Sequence, residues 1–193
     1  MGFSASSCII DRVFRLARHI PNMITAIRIA LVVPIAITLA HHEFTATMLL
    51  FAVAALSDAA DGFLARHFGW QSEVGGVLDP IADKLLLATV FIALSLLNLV
   101  PLWLMAAAVA RDVIIVLGAA AYRWFIGRLT ANPSFIGKFN TLCQAAFIFA
   151  IVVRAQFSVP PAWVTLGLGA LVFATVVVSG IDYVLVYGRR AAA

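Results

Sequence analysis

Charge is what this sequence has least of. Only 11% of its 193 residues are Asp, Glu, Lys or Arg, while 64% are hydrophobic; a soluble domain usually carries about 25% charged residues. With a mean hydropathy of +1.07, a water-soluble globular domain is excluded and a single integral membrane domain is expected. Cysteine is nearly absent too. Cys8 and Cys143 lie far apart, which leaves neither a disulfide framework nor a thiolate metal site. The net charge of +4 is modest. It fits membrane topology and anionic headgroups, and no nucleic-acid partner is expected. The first twenty residues lack a long apolar core ahead of a small-residue cleavage site, so no cleavable signal is expected. The lack of a transit-like extension points to a bacterial inner membrane.

What is present is long apolar runs. Six segments near the ~20 residues that cross a bilayer are expected at about 22–41, 46–66, 78–99, 101–123, 138–158 and 162–187. Pro21-Asn22, His41-His42-Glu43, Asn98 with Pro101, and Pro160-Pro161 punctuate them. Ahead of them, residues 1–19 place Ile9, Ile10, Val13 and Phe14 on one helical face and Arg12, Arg15 and Arg18 on the other. That pattern predicts an amphipathic helix on the membrane surface, followed by a six-helix domain over 20–190. The fold class is therefore all-α: six transmembrane helices and one interfacial helix. Lys and Arg cluster before helix one, around Arg66 and Lys84, at Arg123, Arg128 and Lys138, and at Arg189 and Arg190. The alternate loops near 41–45 and 98–101 have none, so both termini are expected on the cytoplasmic side. Arg154, near the outer end of helix five, is the exception. Trp70, Trp103, Trp124 and Trp163 fall near helix ends, where aromatic belts belong.

Within this apolar chain stand Asp58, Asp61, Asp79 and Asp83. Intramembrane acids are expensive and are read as functional. Asp58 and Asp61 are three apart and Asp79 and Asp83 four apart, so each pair shares a helix face. A short cytoplasmic link would bring the two faces to one depth. Four unpaired carboxylates would repel there, and divalent cations relieve the repulsion. All-oxygen donors favour Mg²⁺, Mn²⁺ or Ca²⁺ over zinc, and four acids suit the two-ion arrangement of in-line displacement at phosphorus. Gly62 and Ala65 remove bulk beside the acids, Gly75 and Gly76 relax the link between helices, and Arg66 is placed to hold a phosphate. The structural alternative is an ion-pair network with Arg28, Arg66 and Lys84. A small cation or proton transporter is the reading from another class, but no internal repeat of the kind such transporters show is visible.

The run Asp58-x2-Asp61-Gly62-x2-Ala65-Arg66-x8-Gly75-x3-Asp79-x3-Asp83 matches the full signature of the CDP-alcohol phosphotransferases, and the Pro21-Asn22-x2-Thr25-x2-Arg28 opening of helix one also fits. The resemblance covers essentially the whole chain. It implies displacement of CMP from a CDP-linked lipid by an acceptor hydroxyl, in a homodimer. It assigns Asp58, Asp61, Asp79 and Asp83 to two divalent ions, Mg²⁺ or Mn²⁺, on the CDP pyrophosphate. Asp83 becomes the general base. Asp61, Gly62, Ala65, Arg66 and Gly75 become the CDP site.

For the acceptor, Arg111-Asp112, Arg123 and the run Pro133-Ser134-Phe135-Ile136-Gly137-Lys138-Phe139-Asn140-Thr141 resemble the CMP-forming cardiolipin synthases. That resemblance implies CDP-diacylglycerol as donor and phosphatidylglycerol as acceptor, with Arg111, Asp112, Arg123 and Lys138 as acceptor residues. Ser179-Gly180-Ile181-Asp182-Tyr183 resembles the phosphatidylglycerophosphate synthases, which use glycerol 3-phosphate, and so keeps that acceptor open; Ala119 stands where those enzymes tend to have Arg. Mutual pairing is the structural alternative for Arg111 and Asp112, and interfacial anchoring for Lys138 and Asn140.

Overall fold

The computed structural model describes residues 20–68, 75–125 and 135–191, with side chains described over 26–57, 82–118 and 135–183. The expected interfacial helix at 1–19 lies outside the described residues. Six α-helices account for nearly all of the described chain: α1 (Ile20–Ala40), α2 (Phe44–Phe68), α3 (Gly75–Leu96), α4 (Leu102–Phe125), α5 (Phe135–Phe157) and α6 (Ala162–Ala191). Each overlaps one expected segment. The largest difference is at the C-terminal end of α6, which runs four residues past expectation; α3 and α5 each begin three residues early, and α3 also ends three residues early. Gly75 and Gly76 thus open α3 instead of relaxing a link before it.

Three short turns join α1 to α2, α3 to α4 and α5 to α6, and each closes its helix with a non-glycine residue in the left-handed region. His42 (φ 58°), Asn98 (φ 58°) and Ser158 (φ 59°) take this role. After α1, the Glu43 N–H reaches Thr38 O at 2.8 Å and the His42 N–H reaches Leu39 O at 3.0 Å. After α3, Leu99 bonds back to Leu94 O and Asn98 to Ser95 O, both at 3.0 Å. These are paired Schellman bonds, which satisfy carbonyls that a helix end would otherwise orphan. The α5 end uses the simpler single bond, Ser158 N–H to Arg154 O at 2.9 Å. Arg154, the exception to the charge pattern, donates from Nη1 to Pro160 O at 2.8 Å and ties this turn shut.

The helices pack in a connected order. α1 lies against α2 and α3, α5 against α6 and α2, and α4 bridges α3 and α6. Ile35, Leu39, Ala54, Val90, Leu94 and Ile148 are fully buried at the centre. Phe91 of α3 stacks on Phe147 of α5 with ring centroids 6.0 Å apart. Outside this core the surface is apolar: Leu96 and Leu166 are each 77% exposed, and Phe135, Leu56 and Trp163 are similarly uncovered. So large an uncovered apolar surface suits hydrocarbon, not water. Phe135–Phe157 and Ala162–Tyr183 are long and apolar enough to cross a bilayer, with hydropathies of 1.7 and 2.2.

Candidate active site

The signature residues occupy the ends of two helices. Asp58, Asp61, Gly62, Ala65 and Arg66 lie in the last turns of α2, and Gly75, Asp79 and Asp83 in the first turns of α3. Of these, only the side chain of Asp83 is among those described. Cross-helix bonds fix the register of the backbone. Arg28 of α1 pairs with Asp83 of α3, and Thr47 of α2 lies 2.9 Å from the Thr38 hydroxyl of α1. Counting from these two bonds along antiparallel α1 and α2 brings Asp58 to within about one residue of the depth of Asp83. One carboxylate from each helix therefore starts at the same level.

Asp83 accepts from Arg28 Nη1 at 2.7 Å; Arg28 is only 1% exposed, whereas Asp83 is 29% exposed. A buried guanidinium thus holds a half-buried carboxylate at Oδ1. The adjacent Lys84 diverges around the helix and donates to Asp112 of α4 at 2.7 Å. The same Asp112 oxygen accepts from Arg111 Nη1 at 2.6 Å. Arg111 Nη2 donates to Ser179 of α6. On α5, Asn140 is fully buried against Thr175 of α6, with Oδ1 2.9 Å from the hydroxyl. Arg28, Asp83, Lys84, Asp112, Arg111, Ser179, Thr175 and Asn140 form a polar belt that touches five helices. Buried charges need such partners, since an unpaired ion in the interior costs several kcal/mol.

The belt joins residues the sequence had singled out separately. Arg111 and Asp112 are adjacent in sequence and paired in space, with Lys84 as a second cation. Lys138 is exposed in the first turns of α5. Arg123 lies in the last turn of α4, with its side chain outside those described. Asn140, weighed as an interfacial anchor, is instead buried. Sequence reasoning passed over Gln144 and Thr175; Asn140 and Gln144 are four apart, so they share a face with apolar Phe147 and Ile148. That buried polar pair on an apolar face was the available signal. Among the described residues no group of three or more candidate metal ligands occurs; Asp58, Asp61 and Asp79 fall outside that statement. Beside the belt, a cleft of about 280 Å³ lies between α5 and α6, lined by Phe135, Ile136, Phe139, Ala174, Thr175 and Val178.

A family model described as CDP-alcohol phosphatidyltransferase matches residues 18–180. The chain belongs to the CDP-alcohol phosphatidyltransferase family. The match to this family takes in every signature position and the belt through Ser179. The chain is 29% identical over 155 residues to the human cardiolipin synthase (CMP-forming), covering 72% of this chain and 52% of that protein. It is 31% identical over 173 residues to a probable phosphatidylglycerophosphate synthase of Mycobacterium tuberculosis, covering 86% and 80%. It is 37% identical over 146 residues to a probable cardiolipin synthase (CMP-forming) of Drosophila melanogaster, covering 67% and 45%. The chain spans about half the length of the human and rat relatives it matches.

Proposed function

We propose that this family member is a six-span membrane enzyme that transfers a phosphatidyl group from CDP-diacylglycerol to a glycerol-type acceptor and releases CMP. The observation that carries the reading is Asp83. The last acid of the family signature stands at the opening of α3, gripped by buried Arg28 and level with Asp58 of α2. The donor set fits divalent cations: two aspartates from each of two helix ends, all oxygen. Asp58, Asp61, Asp79 and Asp83 would hold two ions, Mg²⁺ or Mn²⁺. Bound there, such ions would supply charge neutralisation for the pyrophosphate and for the departing CMP.

The chain's own residues do the rest. Arg66 holds a phosphate of the CDP group, while Gly62, Ala65 and Gly75 leave room for its close approach. Asp83 accepts the proton of the acceptor hydroxyl. The hydroxyl oxygen attacks the β-phosphorus, the bond from that phosphorus to the CMP oxygen breaks, and CMP departs with the electron pair. The pairing with Arg28 orients the carboxylate for this transfer. Lys138 and Arg123 meet an acceptor phosphate. Arg111 and Asp112 stiffen that side of the site through their pairing with each other, Lys84 and Ser179. The apolar cleft between α5 and α6 suits an acyl chain. Both chain ends and the aspartates face the cytoplasm, by the distribution of Lys and Arg, and the enzyme works as a homodimer.

Phosphatidylglycerol is the acceptor we favour, on the Pro133–Thr141 run and the likeness to cardiolipin synthases. Glycerol 3-phosphate is the second reading, favoured by the extensive match to the mycobacterial phosphatidylglycerophosphate synthase. The test is an acceptor panel. Purified protein with CDP-diacylglycerol receives phosphatidylglycerol, glycerol 3-phosphate, inositol phosphate or serine, and products are identified by mass. CMP release that stops with a chelator and returns with Mg²⁺ or Mn²⁺ is expected. Turnover that persists without divalent ions overturns the metal assignment; ion flux in liposomes without CMP release favours a transporter.

A further inference from the structure

Gln144 is 1% exposed, and neither its Oε1 nor its Nε2 has a hydrogen-bond partner among the described residues. One turn away, fully buried Asn140 has its Nδ2 unpartnered. Thr175 has one proton to share between Val172 O, at 3.0 Å, and Asn140 Oδ1, at 2.9 Å. Turning the Asn140 amide over would let Nδ2 donate to Thr175, but it would orphan Oδ1 instead. In either orientation, three amide heteroatoms within one helical turn lack partners. Buried polar groups are nearly always satisfied, so something polar belongs here.

The place is next to the chemistry. Phe147 stacks on Phe91, and α3 and α5 run in the same direction. Counting back seven residues on each puts Asn140 level with Lys84, beside Asp83. Gln144 lies one turn deeper, about 6 Å below. The chemistry of the vacancy is also specific. An amide both donates and accepts. A phosphate or carboxylate only accepts and would leave Oε1 unmet; an ammonium only donates and would leave Nε2 unmet. The neighbouring belt cations, Lys84 and Arg111, are engaged by Asp112. A hydroxyl is the group that answers both halves of an amide without bringing charge.

We propose that Gln144, assisted by Asn140, binds the hydroxyl adjacent to the attacking one on the acceptor, and so selects glycerol-type acceptors by their second hydroxyl. This rests on the transferase reading above. While Asp83 takes the proton of the attacking hydroxyl, the neighbouring hydroxyl reaches the amides a turn deeper. Gln144 is then a specificity residue for the diol.

The test pairs each acceptor with its analogue lacking the second hydroxyl: phosphatidylglycerol with phosphatidyl-1,3-propanediol, and glycerol 3-phosphate with 3-hydroxypropyl phosphate. The wild-type protein is expected to favour the diol by about tenfold or more in kcat/KM, the scale of a buried hydrogen-bonding group left unmet. Gln144→Met, near-isosteric but apolar, is expected to bring that ratio close to one, with the loss falling on the diol. Gln144→Leu likewise removes both amide groups without adding charge, in a smaller side chain; it decides in the same way should Gln144→Met fail to fold. A wild-type ratio near one overturns the proposal. So does a ratio unchanged in the variants, which would mean that buried water satisfies the amides. No CMP release with either member of either pair fails the transferase reading itself, and this proposal with it; CMP release without discrimination fails the proposal alone.

Discussion

At the scale of the residue, Asp83 joins two roles. It accepts an ion pair from Arg28 at 2.7 Å and stands where the signature places the base. Asp83→Asn keeps an oxygen that can still accept from Arg28, so the fold should persist in detergent, as size-exclusion profiles would show. Turnover should fall by about 100-fold or more, the lower range of general-base contributions. Wild-type turnover in that variant would remove Asp83 from the chemistry. The sequence alone revealed the signature acids and Arg28 because their spacing carries them. It did not reveal which cation holds which acid: Arg28 and Lys84 were both candidates, and only the divergence of Asp83 and Lys84 around α3 sends one to α1 and the other to α4. Gln144 was passed over because its pairing with Asn140 on an apolar face signals a buried polar site but not what that site holds.

At the scale of the element, the helices were legible and their ends nearly so. The terminations after α1, α3 and α5 rest on His42, Asn98 and Ser158, residues that hydropathy patterns mark only as breaks. What joins the elements is the belt, and its members are unequal. Asp112 answers two cations, so Asp112→Leu strands both Lys84 and buried Arg111. A loss of about 3–5 kcal/mol is expected, as for a broken buried pair. Lys84→Met leaves Asp112 still paired with Arg111, and Lys84 itself is 21% exposed. Its cost should be about 1 kcal/mol or less, near that of a partly exposed pair. Thermal unfolding of the two variants in the same detergent checks the order; equal losses would contradict the network drawn here. Gly118 supports the α4–α6 contact in a plainer way, since a Cβ there would strike the Tyr183 hydroxyl, which donates to Ile115 O at 3.1 Å.

At the scale of the whole molecule, an apolar exterior surrounds an apolar core crossed by a band of buried polar side chains, unlike a soluble protein, whose exterior is polar. Large side chains such as Leu171 and Val178 face outward while Arg28, Arg111 and Asn140 are buried. Leu171 sits near the middle of the Ala162–Tyr183 span. Leu171→Arg should therefore hinder insertion of α6 by about 3 kcal/mol, the scale of a central charge in translocon assays. A glycosylation-reporter assay of the span would register the drop, and unchanged insertion would argue that this face does not meet lipid. The belt has a mechanical consequence as well. Five helices are tied at the end of the bundle that carries Asp83, so none of them can slide past its bonded neighbour without breaking those bonds. In a thinner or thicker bilayer the usual relief of hydrophobic mismatch is tilt or helix displacement. With displacement blocked, the bundle answers by tilting as one piece. The level of Asp83 relative to Arg28, Lys84 and Asp112 is thereby insulated from the thickness of the surrounding membrane.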